Sequence, residues 1–108
     1  MDITIEEIRE FCSDMNRIVA TDHARQKFNE RGIKTNDVIE GILSGEIIEH
    51  YPDDYPYPSC LVLGCTINKR KIHIVCGIGD NKLYIITAYF PNNEKWENDF
   101  KTRKAVSK

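Results

Sequence analysis

The sequence predicts an α+β domain: N-terminal helices packed on one face of an antiparallel meander sheet of about four strands. Three observations carry this. Apolar residues fall at helical spacing in the first half of the 108-residue chain and at strand spacing in the second. The turns between the later strands are too short for crossovers, so neighbours run antiparallel. Helices followed by a run of strands is the α+β order.

Each element has a local reason. Thr4 caps a helix whose apolar stripe is Ile5, Ile8, Phe11, Cys12 and Met15. Ile18-Val19-Ala20 has room for only a small strand. Thr21 or Asp22 caps a second helix from His23 to about Arg31, and Gly32 ends it. Thr35 or Asn36 caps a third, with Val38, Ile39, Ile42 and Leu43 on one face and Gly45 as terminator. Glu46–Tyr51 reads as a strand. Residues 52–58 form a loop, because Pro52, Pro56 and Pro58 cannot sit in a central strand. Three longer strands follow, at about 60–67, 71–78 and 82–90, joined by tight turns at Asn68-Lys69-Arg70 and Gly79-Asp80-Asn81. Pro91 stops the last strand. A short C-terminal helix is expected to carry Trp96 and Phe100, and the basic end from Lys101 to Lys108 to fray.

Composition narrows the function classes. The chain is 41% hydrophobic and 30% charged, which suits one soluble domain. No apolar run approaches the ~20 residues of a membrane helix. The acidic start MDITIEEIRE is unlike a signal peptide, so a cytoplasmic location and no membrane partner are expected. A net charge of −2 gives no global field for nucleic acid, so any such site must be a local patch. Cys12, Cys60, Cys65 and Cys76 contain no C-x-x-C pair, and Cys60 and Cys65 point to opposite faces of one strand. Reduced thiols and no metal or cofactor are expected.

Register can be argued from burial. A two-residue turn at Lys69-Arg70 pairs Ile67 with Ile72, Cys65 with Ile74, Leu63 with Cys76 and Leu61 with Ile78, all apolar and so the core face. The other face then carries Thr66 beside His73. If Tyr84, Ile86, Ala88 and Phe90 join the core, Thr87 and Tyr89 share the face of His73; a one-residue slip would bury them instead. His23, Lys27 and Arg31 recur at i, i+4 and i+8 and project from one side of the second helix. His23 can reach the cluster only from the sheet rim.

The ordered motifs T-D-H-A-R-x-x-x-x-x-R-G-I, G-E-I-I-E-x-Y-P-D-D-x-P-Y-P-S-x-L-V-L-G, I-H-I-V-x-G and L-Y-I-I-T-A-Y-x-P, spread over about residues 17–103, resemble a bacterial and archaeal domain-of-unknown-function family. That family is grouped with the barnase–EndoU–colicin–RelE-like nuclease fold, and its members resemble small toxins that often accompany zinc-finger antitoxins. The resemblance implies a single RelE/barnase-like domain over residues 17–104, with a helical extension at 1–16 and a frayed tail at 105–108. It carries the family's histidine before alanine to His23, its arginine before Gly-Ile to Arg31, its strand histidine to His73, and its Thr-x-Tyr-x-Pro end to Thr87, Tyr89 and Pro91.

Nucleases of this broad fold work without metal, by attack of a ribose 2′-hydroxyl on the adjacent phosphate. That step needs a base, an acid and cations for the developing charge. His23, Arg31, His73 and Tyr89 are the expected catalytic set, with Lys27, Thr66 and Thr87 binding single-stranded RNA. Each also has an ordinary role: His23 bonding to backbone at a helix start, His73 as a half-exposed strand residue, Arg31 opposing the helix dipole, Tyr89 packing by strand propensity, Lys27 solvated, Thr87 structural. The three tyrosines of residues 51–58 form a rigid turn or a contact surface for a partner or a base. The competing expectation is therefore a non-catalytic protein-binding module that uses the exposed sheet face and this Tyr-Pro loop.

Overall fold

Thr4 opens the first helix through a reciprocal cap: its side chain accepts from Glu7 N–H while the Glu7 carboxylate accepts from Thr4 N–H. The computed structural model describes residues 3–105. The helix is α1 (Ile5–Phe11), followed by a single 3₁₀ turn at Met15–Arg17 and strand β1 (Ile18–Ala20). Thr21 caps α2 (Asp22–Arg31), which ends at Gly32 in the left-handed conformation, φ 69°. The cap of α3 (Thr35–Ser44) is one residue earlier than expected. Lys34 takes the cap position, and its N–H is held by the Asp37 carboxylate at 3.0 Å.

Four further strands follow: β2 (Glu46–Tyr51), β3 (Ser59–Cys65), β4 (Lys71–Gly79) and β5 (Lys82–Tyr89). The sheet therefore has five strands rather than about four, in the order β1-β5-β4-β3-β2. It is also not wholly antiparallel, because β1 runs parallel to β5. That pairing is open to a three-residue strand because the chain passes through β2, β3 and β4 before β5 returns beside it. Residues from all three helices and from one face of the sheet share a core around Ile8, Phe28, Ile42, Ile72, Ile74 and Leu83. The helices thus cover one face, as expected.

Two registers differ from the sequence reading. Between β3 and β4 the partners are Leu63 with His73, Val62 with Ile74 and Cys60 with Cys76. The cause is the turn. Lys69 N–H bonds to Thr66 O at 2.8 Å, Thr66 N–H bonds to Arg70 O at 2.9 Å, and Lys69 sits at φ 64°. This is a longer connection than a two-residue turn, and it shifts the pairing by an odd number of residues. Cys60 and Val62 face the helices, whereas Leu61 and Leu63 face away. Thr66 belongs to the turn, where its hydroxyl accepts from Arg70 N–H at 3.2 Å, and does not stand beside His73.

The second difference lies in β5. Ala88 pairs with Ile74 and Thr87 with Val75, but Cys76 then pairs with Ile85, leaving Ile86 as a bulge. The bulge changes parity within the strand. Ala88, Ile85 and Leu83 all reach the core, while Thr87 and Tyr89 share the face of His73.

The helix-free face is not bare. Instead of forming a helix, residues 91–104 cross it as a strap. The strap folds back on itself through a Trp96–Arg103 bridge, with Glu97 N–H on Thr102 O at 2.8 Å and Lys104 N–H on Lys95 O at 2.9 Å. Nor does the basic end fray where it is described. Lys101 pairs with Glu46 at 2.7 Å and Arg103 with Glu49 at 2.8 Å, tying the strap to β2. Of the expected frayed tail, residues 106–108 lie outside the described residues.

Candidate functional site

His73 stands at the centre of β4, on the face beneath the strap. Its imidazole is fully buried, at 0% exposure. Nε2 lies 2.8 Å from the carbonyl oxygen of Phe100, and Nδ1 lies 3.2 Å from the hydroxyl of Tyr89. A carbonyl only accepts, so Nε2 carries the proton. In the neutral ring Nδ1 is then an acceptor and takes the Tyr89 O–H. The ring is further held edge-on by Trp96, with centroids 4.6 Å apart, and by Tyr89 at 5.2 Å. Burial is the main reason its pKa lies below the ordinary 6.5, with the Phe100 carbonyl and the Glu49 charge opposing.

Tyr89 brings this pair to the surface. It lines an open cavity of about 360 Å³ together with Pro91, Asn92, Lys95, Trp96 and Arg103. Burial pushes its phenol above the usual value. Arg103 crosses the cavity wall with its guanidinium over the Trp96 ring, 4.6 Å from the centroid. Its Nε and Nη2 donate to the Glu49 carboxylate at 2.8 and 3.0 Å. Those bonds hold Glu49 below its usual carboxylate value. The Tyr51 hydroxyl donates to the same carboxylate at 2.6 Å, and burial together with this bond pushes its pKa up to about 12.

Arg31 arrives from the other side. The β1–β5 pairing ends at Ala20 opposite Ile85, and α2 packs against β5. At the last turn of α2, Arg31 Nη1 donates to Ala88 O at 2.8 Å and to Thr87 Oγ1 at 3.2 Å. Both partners are neutral, so the guanidinium charge is not cancelled by them. Its field reaches Tyr89, whose phenol it favours in the ionised form.

Of the residues expected from sequence, the fold gathers Arg31, His73, Thr87 and Tyr89. It does not gather the others. His23 is exposed at the opposite end of α2, about 12 Å from Arg31 along the helix axis at 1.5 Å per residue. Lys27 lies on α2 and pairs with Glu30 at 3.5 Å. Thr66 closes the β3–β4 turn. Sequence reasoning missed Glu49, Lys95 and Arg103, and placed Tyr51 only in the Tyr-Pro loop. The sequence places Trp96 in a C-terminal helix instead of at this cavity. No local spacing marks these residues, because they meet only when the strap folds back across the sheet.

Among the described residues, no group of three or more His, Cys, Asp or Glu side chains is arranged to hold a metal ion. No helix there is long and apolar enough to cross a membrane. The thiols of Cys60 and Cys76 face each other in the helix-side core, away from the cavity.

Searches of curated proteins and of solved structures return no match to the chain. Residues 20–90 do match a family, and they run from the end of β1 through β5, so the strap lies beyond the match. The chain belongs to the family described as domain of unknown function DUF4258.

Proposed function

We propose that the protein is a metal-independent endoribonuclease of RelE/barnase-like type, acting on single-stranded RNA as the toxin of a cytoplasmic toxin–antitoxin pair. The observation that carries this reading is the Tyr89–His73 pair. A phenol that opens into a cationic cavity is hydrogen-bonded to an imidazole whose tautomer is set by a backbone carbonyl.

The chemistry follows from that arrangement. The ribose 2′-hydroxyl attacks the adjacent phosphorus. Its proton passes to the Tyr89 oxygen while the Tyr89 proton passes to His73 Nδ1. The phenol stays neutral, and the imidazolium keeps its Nε2–H on Phe100 O. The same proton returns by the reverse route to the departing 5′-oxygen. The products are a 2′,3′-cyclic phosphate and a free 5′-hydroxyl, so atoms and protons balance. Arg31 and Lys95 meet the charge building on the phosphate oxygens. Glu49 and Tyr51 are positioning residues that fix the direction of Arg103. A ligand with charged phosphates suits this cavity although the whole chain carries −2, because the cations are local. The expected partner in the cell is a small zinc-finger antitoxin.

A second reading is favoured by one observation. His73 is sealed from solvent, as befits a structural histidine, and the face would then serve as a non-catalytic binding surface. One experiment separates the two. A single-stranded RNA of mixed sequence is incubated with the wild type, Tyr89→Phe and His73→Gln in the presence of EDTA. The nuclease reading expects cyclic-phosphate ends from the wild type alone. Cleavage by all three, or by none, refutes it.

A further inference from the structure

The helix-free face carries a second cavity, of about 610 Å³, at the other end of β5. The Tyr-Pro loop forms its outer wall. The Tyr57 ring stacks on Tyr84, with centroids 5.4 Å apart and planes at 25°. It also lies against Gly79, where a Cβ would come within 2.2 Å of Tyr57 Cδ1. Tyr55, next in the loop, is 95% exposed.

The charge here is opposite to that around Tyr89. Among the described residues, the one charged side chain lining the cavity is the Asp54 carboxylate, which accepts a hydrogen bond from Ser59 Oγ. Asp53 adjoins it in sequence. Burial, then Tyr84, then the charge of Asp80 in the β4–β5 turn push the Tyr57 phenol up. Arg17, which approaches the same turn, donates to Asn81 instead. Lys82 shares the face but does not line the cavity.

We propose that this cavity binds the arginine or lysine side chain of a basic segment on a protein partner. Tyrosine faces carry the negative part of the ring quadrupole and attract a cation within about 6 Å. The Asp54 carboxylate supplies the counter-charge and a hydrogen-bond acceptor. A nucleotide fits less well, because its phosphate would approach the Asp54 carboxylate. The inference does not depend on the ribonuclease reading, since it concerns a separate cavity and is tested by binding.

The test titrates acetyl-tetraarginine-amide into the full chain, with uridine 5′-monophosphate as the contrasting probe. Aromatic NMR signals are followed at low salt. Saturable shifts of Tyr55, Tyr57 and Tyr84, with Tyr89 and Trp96 unmoved, are expected for the peptide. Tyr55→Ala and Asp54→Asn should each weaken binding about two- to fivefold, the worth of one exposed cation–π or charge contact. Tyr55 is exposed, so its removal spares the fold. Glu40→Gln, which removes an equal charge elsewhere, should leave binding unchanged. The proposal is overturned if the peptide shifts only Tyr89 and Trp96, if Glu40→Gln weakens binding as much as Asp54→Asn, or if uridine monophosphate moves Tyr57 and Tyr84 and the peptide does not.

Discussion

Replacing Tyr89 with phenylalanine removes one oxygen and no carbon, so its effect isolates the bond to His73. In the wild type, Nδ1 of the fully buried imidazole accepts the phenolic O–H at 3.2 Å while Nε2–H is spent on Phe100 O at 2.8 Å. In Tyr89→Phe the Nδ1 lone pair has no donor and remains out of water. An unsatisfied buried acceptor costs about 1–3 kcal/mol. With a urea slope of about 1–2 kcal/mol/M for a chain this small, a loss of about 2 kcal/mol lowers the unfolding midpoint by roughly 1–2 M. The corresponding thermal shift is about 4 °C or more per kcal/mol. Equilibrium urea unfolding at pH 7.5, followed by Trp96 fluorescence, measures this directly. The reference is Tyr55→Phe, which loses a hydroxyl from a side chain that is 95% exposed. If Tyr89→Phe is no less stable than Tyr55→Phe, the phenol does not hold the imidazole, and the proton route from cavity to His73 does not exist.

Other outcomes are expected. Stability should fall as pH drops below about 6.5. The unfolded histidine takes up a proton there, while the buried His73, its pKa depressed, resists one until a lower pH. The slope should flatten in His73→Gln, as read by thermal unfolding across pH 5–8. Gly64→Ala should destabilise by at least about 1–3 kcal/mol, because its Cβ would lie 1.8 Å from the Gly41 carbonyl oxygen and push α3 off the sheet; calorimetry would show it. Lys101→Ala breaks an exposed ion pair with Glu46 and should lower the thermal midpoint only slightly, with 1 M salt erasing the difference. If the nuclease reading holds, Arg31→Ala should lower the cleavage rate by about 10²–10³-fold and leave the fold intact, which circular dichroism would check.

The parts of this protein readable from its sequence are those governed by neighbours in the chain. Thr4 and Thr21 cap helices because a hydroxyl at that position satisfies a free N–H three residues on. Gly32 ends α2 because it tolerates a positive φ. Asp80 and Asn81, at φ 52° and 59°, make the β4–β5 turn for a related reason. Alternation along β4 is enough to turn His73 away from Ile72, Ile74 and Cys76; Thr87 and Tyr89 share its face, and Arg31 bonds to Thr87.

Tertiary structure decided the rest. β3 is buried on both faces, beneath α3 on one and the strap on the other, so its unbroken apolar run carries no parity to read. The bulge at Ile86 lets one strand satisfy both candidate registers in turn. The strap itself is an alternation-free stretch held by contacts about 50 residues away in sequence, such as Arg103 with Glu49, and no local pattern encodes a partner that distant. That fold-back turned an expected open face into a sealed histidine behind a tyrosine. It also brought Lys95, Trp96 and Arg103 to the cavity, where they join the residues that the motifs had marked.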